Sequence, residues 1–224
     1  GVVLSWHNRT STKMYEVPSP PSQQWTWKSI SSVTNGEQVA IADIDGDNDL
    51  DIHLGTQWLE QDTGSWISHD AVALGDPDAD PDRVELADID GDGDLDVVIG
   101  CEHAKRVVWG EAPADPKTQW PEHVISTDIL AMSMDVGDVD LDGDIDIVVG
   151  QHNTSNSFTG RLIWYQNQNG GASWDTFLID AGLEHHDGAR LVDIDLDGDE
   201  DIVSIGWTHP WVALYINPAV GNTR

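Results

Sequence analysis

Apolar and polar positions along this chain fall into a block that recurs four times. A short strand-like run (QVAIAD, RVELAD, MSMDVGD and ARLVD) leads into a stretch in which every second residue is Asp. An apolar, β-branched run follows at once: LDIHLG, LDVVIG, IDIVVG and DIVSIG. Next comes a strand with an aromatic centre, RVVWGEA, RLIWYQN and VALYINP, with a weaker version at QWLEQ. A Trp-led alternating strand makes the fourth element: WTWKSIS, SWISHDAVAL, TQWPEHVIS and SWDTFLID. Alternation marks half-buried strands, and unbroken β-branched runs mark strands covered on both faces. No stretch combines helical periodicity with caps, so an all-β fold is predicted.

The Asp-rich segments 43–51, 88–96, 138–146 and 193–201 superimpose without gaps, and their first aspartates are 45, 50 and 55 residues apart. Four strands at that period is the content of a β-propeller blade, and the period is too long for a leucine-rich repeat. Residues 1–224 therefore read as a single β-propeller domain, or a propeller segment, made of four-stranded antiparallel blades. The opening GVVLSWHN matches a third strand, and the chain ends on another, VALYINP. A closed four-blade ring would leave one third strand over. The expectation is about four blades of a larger, seven- or eight-bladed ring, with other blades from the same precursor or another chain; a self-closed small ring is the alternative.

Charge sharpens the picture. There are 41 acidic residues against 10 basic ones, a formal net charge of −31, and the four loops hold 21 of the acids. Such a surface repels phosphates, which excludes a nucleic-acid partner. No run is long and apolar enough for a membrane-spanning helix. The one cysteine, Cys101, follows VVIG and reads as a small buried hydrophobe; without disulfides, bound metal is the expected source of rigidity.

Each loop carries Asp at relative positions 1, 3, 5, 7 and 9. Alternate carboxylates with a turn residue between them bring several oxygens to one point, and calcium takes six to eight oxygens in flexible geometry. Without a cation the same carboxylates repel one another. An EF-hand requires Glu at position 12 and flanking helices; here position 12 is Leu54, Ile99, Val149 or Ser204, between strand-like runs.

On these residues the chain resembles the FG-GAP/VCBS-type repeats of integrin-like propellers and secreted microbial proteins. The resemblance implies up to four calcium ions (Ca2+), each held between the first two strands of a blade. The implied ligands are Asp43, Asp45, Asp47, Asp49 and Asp51; Asp88, Asp90, Asp92, Asp94 and Asp96; Asp138, Asp140, Asp142, Asp144 and Asp146; and Asp193, Asp195, Asp197, Asp199 and Asp201. Position 7, as at Asp94, is expected to offer its backbone carbonyl. Asn48 stands where the other loops have glycine, and Asn tolerates the left-handed backbone. An extracellular location is expected, with N-x-S/T sequons at Asn8 and Asn153.

Histidine and tryptophan collect at the other ends of the same strands: GTQW (55–58), GCEH (100–103), EHHDG (184–188), GQHN (150–153) and GWTHPW (206–211). Trp58, His103, His152, His185, His186, Trp207, His209 and Trp211 are the candidates for a ligand-binding face. Three readings stay open. Tryptophan rings stacking on sugars would make a carbohydrate-binding module, or a contact for another extracellular partner. A polysaccharide lyase, which such propellers distantly resemble, would use His186, Tyr165 and Arg83 or Arg190; a histidine cluster could instead hold zinc (Zn2+). Or these residues pack the blades, as expected for Trp109, Trp164 and the fourth-strand Trp25, Trp66, Trp120 and Trp174. A binding module is preferred over an enzyme, because basic residues are too few to grip an anionic polymer.

Overall fold

Five antiparallel sheets arise from these runs, and in every sheet neighbouring strands are neighbours in sequence. The computed structural model describes residues 1–4, 11–32, 37–153, 156 and 159–219, so the Asn8 sequon lies outside the described residues. The first sheet holds β1 (Val2–Leu4), β2 (Thr12–Glu16) and β3 (Thr26–Ser31). The second holds β4 (Ala40–Ala42), β5 (Asp51–His53), β6 (Gln57–Asp62) and β7 (Ser65–Asp70). The third holds β8 (Pro81–Ala87), β9 (Asp96–Cys101), β10 (Arg106–Gly110) and β11 (Glu122–Ser126). In the fourth are β12 (Ala131–Gly137), β13 (Asp146–Gln151), β14 (Leu162–Gln168) and β15 (Ser173–Asp180), and in the fifth β16 (Gly188–Val192), β17 (Asp201–Ile205) and β18 (Val212–Tyr215). The fold is all-β, with four-stranded antiparallel blades and no α-helix among the described residues.

The blades pack face to face because their middle strands are apolar on both sides. Alternation along β9 sends Val97, Ile99 and Cys101 into the core shared with the second sheet and Val98 into the core shared with the fourth. β13 repeats this: Ile147 and Val149 face the third sheet, Val148 the fifth. Successive side chains of a strand point to opposite faces, so a wholly buried strand serves two cores at once. The first strands β4, β8, β12 and β16 lie side by side in that order, and a bulge opens β8 between Pro81 and Arg83 and β12 between Ala131 and Ser133.

Two expectations about strands need correction. Val2–Leu4, from the opening GVVLSWHN, is a second-position strand, because it pairs with β2, which pairs in turn with the Trp-led β3. The third-position strand is TKMYE, whose polar ends hid it. Among the described residues there are thus five second-position and five third-position strands, with four of each other kind. Trp25 does not pack like its counterparts: it is exposed and its indole donates to the Pro21 carbonyl (2.9 Å), whereas Trp120 is buried and Trp66 and Trp174 pack against cores.

Candidate functional site

The Asp loops connect the first and second strands of the second to fifth sheets, and each is held by the same bonds. The aspartate at position 9 is buried and clamps two segments together. Its Oδ2 accepts from the second loop residue: Ile44 (3.0 Å), Ile89 (3.0 Å), Val139 (3.2 Å) or Ile194 (3.2 Å). Its Oδ1 accepts from the chain at the end of the third strand: Gln61 (2.9 Å), Ala112 (2.7 Å), Asn167 (2.8 Å) or Asn217 (2.8 Å).

The aspartate at position 1 folds the tip. In the second loop Asp88 accepts from Gly91 (2.8 Å) and Gly93 (3.1 Å), and in the first Asp43 accepts from Gly46 (2.9 Å) and Asn48 (3.0 Å). These bonds need left-handed backbone at positions 4 and 6. Asn48 supplies it at φ 72° in place of glycine, and at position 4 of the later loops it is forced on Leu141 (φ 64°) and Leu196 (φ 63°).

So folded, each loop points three carboxylates at a common point. Ligand atoms of Asp43, Asp45 and Asp51, of Asp88, Asp90 and Asp96, of Asp138, Asp140 and Asp142, and of Asp193, Asp195 and Asp197 lie within 4.8 Å of one another in each set. Asp47, Asp49, Asp92, Asp94, Asp144, Asp146, Asp199 and Asp201 stand outside these groups. The position-9 aspartate thus joins the set in the first two loops and not in the last two, although it makes the same clamp bonds in all four.

These sets fit a hard cation. The buried oxygens Asp45 Oδ1, Asp138 Oδ1, Asp195 Oδ1 and Asp197 Oδ2 have no hydrogen-bond partner, an arrangement that costs free energy unless a cation completes it. Burial, aided by neighbouring aspartates and opposed by the clamp bonds, pushes the Asp96 carboxyl up to about 7; burial likewise lifts Asp146 to about 6 and raises Asp51. All donors are oxygens, the set suited to calcium or magnesium rather than to softer metals.

Residues 88–149 carry an FG-GAP-like repeat. The match takes in the second and third Asp loops, and the first and fourth Asp loops repeat the same clamp bonds. A Photorhabdus luminescens Tc holotoxin pore aligns over 95% of this chain at 17% identity and a TM-score of 0.48. The alignment takes in 10% of that protein's chain, so the present chain spans about a tenth of its length. No curated protein matches the chain.

At the other ends of the strands the fourth and fifth sheets bring five of the eight expected ligand-face residues together around Glu184, a fully buried carboxylate that sequence reasoning passed over. Its Oε1 accepts from the Trp207 N–H (2.5 Å) and lies 3.3 Å from His152 Nδ1; its Oε2 accepts from the Thr208 hydroxyl (2.6 Å). Its backbone carbonyl accepts from His209 Nε2 (3.0 Å). Burial works to raise the Glu184 pKa, but these donors outweigh it and the net shift is downward. The 206–211 loop is thereby pinned with its aromatic rings outward: Trp207 is 71% exposed and Trp211 56%. His186 stands edge-on to His152 (4.9 Å between ring centres) and near Trp207 (5.5 Å), while His209 stacks on Trp211 (5.4 Å). A cleft of about 300 Å³ between β8, β12 and β16 adjoins this cluster through Asp187, which pairs with His186.

The other three candidates are corrected. Trp58 is fully buried, stacked on His69 (4.7 Å), with its indole donating to the Pro116 carbonyl (3.1 Å). His185 is buried against Ser204, whose hydroxyl lies 2.6 Å from Nδ1 and donates to the Gly188 carbonyl (2.7 Å); burial holds the imidazole below its usual pKa. His103 is exposed on the β9–β10 turn beside Asp80 and Glu102 and does not join the cluster.

The zinc and lyase readings lose support as well. Among the described residues every three-ligand group is made of aspartates, so the histidines do not assemble a zinc site. Tyr165 is buried between the third and fourth sheets, out of reach of a bound polymer. Arg83 is neutralised by Asp82 (2.8 Å) and Arg190 by Glu85 (2.8 Å), so neither guanidinium is free to offset a substrate carboxylate.

Proposed function

We propose that this chain is a calcium-stabilised, extracellular propeller module that binds carbohydrate through Trp207, Trp211 and His186, at the end of the blades opposite the Asp loops. The observation that carries the carbohydrate reading is the 206–211 loop. Two large aromatic rings are 71% and 56% exposed there, and the buried Glu184 carboxylate fixes the backbone beneath them. Ordered, exposed indoles suit the apolar face of a sugar ring, and His186 and Asp187 beside them suit hydroxyls. The calcium reading rests on four oxygen-only carboxylate groups, three of which hold buried, unpaired oxygens. The extracellular reading rests on the FG-GAP-like repeat and the acidic surface. No described helix is long and apolar enough to cross a membrane.

Retardation on immobilised polysaccharides and a glycan array test this with wild type and the Trp207→Ala/Trp211→Ala double variant. Retention of wild type and loss in the double variant are expected, with the fold checked by circular dichroism. Absence of glycan binding by wild type, with capture of extracellular protein partners, would replace carbohydrate by a protein ligand.

A further inference from the structure

We propose that Lys117 is the resident cation of the first Asp loop, so that the four metal sites of this chain are unequal. Three bind calcium tightly, and the first binds it at least tenfold more weakly. The inference rests on the calcium reading above and adds to it the residue that sets one site apart.

Lys117 lies on the connection between β10 and β11, in the third sheet, yet its ammonium reaches the loop of the second. Nζ lies 3.1 Å from Asp45 Oδ2 and 2.6 Å from Glu60 Oε1. Both carboxylates are mostly shielded, each side chain being 10% exposed. The lysine is held from behind, because its backbone N–H donates to Asp115 Oδ1 (3.2 Å) and the preceding Pro116 carbonyl accepts both the Trp58 and Trp120 indoles (3.1 and 2.9 Å). Glu60 is braced in turn by His69 Nε2 at 2.6 Å.

Asp45 is one of the three aspartates that converge in its loop, and its other oxygen, Oδ1, is buried without a partner. A calcium ion at its usual 2.3–2.6 Å from Oδ1 would lie within ~8 Å of the ammonium, close enough for the two cations to repel each other. No lysine or arginine is paired with the matching Asp90, Asp140 or Asp195 among the described residues; Asp140 instead accepts from the neutral Gln166 amide. A charge already balanced from the next blade is the feature unique to the first loop.

Calcium titration by calorimetry, with bound calcium counted by equilibrium dialysis, tests this on wild type, Lys117→Gln and, as a surface control, Lys105→Gln. Wild type and Lys105→Gln are expected to show three tight sites and one at least tenfold weaker. Lys117→Gln is expected to tighten the weak site tenfold or more, and Asp43→Asn should abolish that site in either background. Retention of the three tight sites in Lys117→Gln reports that the variant is folded. Four equivalent sites in wild type, or a weak site that Lys117→Gln leaves unchanged, overturns the inference while leaving calcium binding intact. No binding by any variant overturns the calcium reading itself.

Discussion

The side-chain amide of Asn167, in β14, donates to the backbone carbonyl of Ile89 at 2.9 Å, joining the fourth sheet to the Asp loop of the third. Asn217 repeats the link one blade on, donating to the Val139 carbonyl at 2.6 Å. The matching residue of the third sheet is Ala112, which has no amide to give, and there Lys117 makes the connection to the preceding loop instead.

Asn167→Ala should therefore be costly. Asn167 is buried and also donates to Ile145 O (3.1 Å) and accepts from Gly171 N–H (2.6 Å). Unpaired buried polar groups cost about 1–3 kcal/mol each, so a loss of about 3 kcal/mol is expected. Denaturant melts of wild type and Asn167→Ala measure it.

Chelation should lower the melting temperature in proportion to the sites emptied. A folded-state ligand at a hundred times its Kd stabilises by about 2.7 kcal/mol per site, roughly 5–11 °C for a domain of this size. Scanning calorimetry in calcium and in excess chelator reads the difference, and an unchanged transition would count against metal in the loops.

Calcium addition should release protons near pH 6 and release none above pH 8. Without metal the Asp96 carboxyl titrates at about 7 and so is mostly protonated at pH 6; an ion in its loop requires the carboxylate. Because this folded pKa is raised, its contribution to metal-free stability is full below the unfolded value of 3.8 and is lost as pH rises through about 7. A pH-stat records the release, and Asp96→Asn should diminish it.

His53 produces the opposite pH dependence. It is buried, with Nδ1 accepting the Gly55 N–H (3.2 Å), and burial pushes its pKa down to about 3. The unfolded chain takes up the proton first, so this stability is present above about 6.5 and is lost progressively as pH falls towards about 3. His53→Gln should show a flatter stability profile between pH 6.5 and 4 in urea melts.

Leu196→Gly should stabilise the protein, against the usual direction for glycine. Leu196 is 82% exposed and held at φ 63°, so it packs little and pays the left-handed penalty of about 1 kcal/mol. Thermal melts of Leu196→Gly and Leu196→Ala separate relief of backbone strain from loss of the side chain.

The period of the Asp loops made the blades legible, since a β-branched run after each loop has no other stable place than between two sheets. What sequence could not supply was facing. His185 and His186 are adjacent and chemically alike, yet one turns in to Ser204 and the other lies near Trp207. Trp58 follows a turn just as Trp207 does, but it pairs with His53 and points into a core. The alternating aspartates also read as one ligand set of five, whereas only three converge in each loop, with position 9 among them in the first two loops and position 5 in its place in the last two. Glu184 gave a faint signal, an acid beside two histidines, that only the return of the 206–211 loop explains.

Because Val97 and Val98 serve different cores, the sheet is not a separable part of this protein. Deleting one residue from β9 would exchange the two sets and spoil two interfaces together, whereas lengthening a connecting turn would disturb neither. Heritable change in length should accordingly be confined to the turns, and growth of the array should proceed by copying whole blades, loop included. The spacings of 45, 50 and 55 residues between loops, laid over gap-free loops of constant length, are the trace such a constraint would leave.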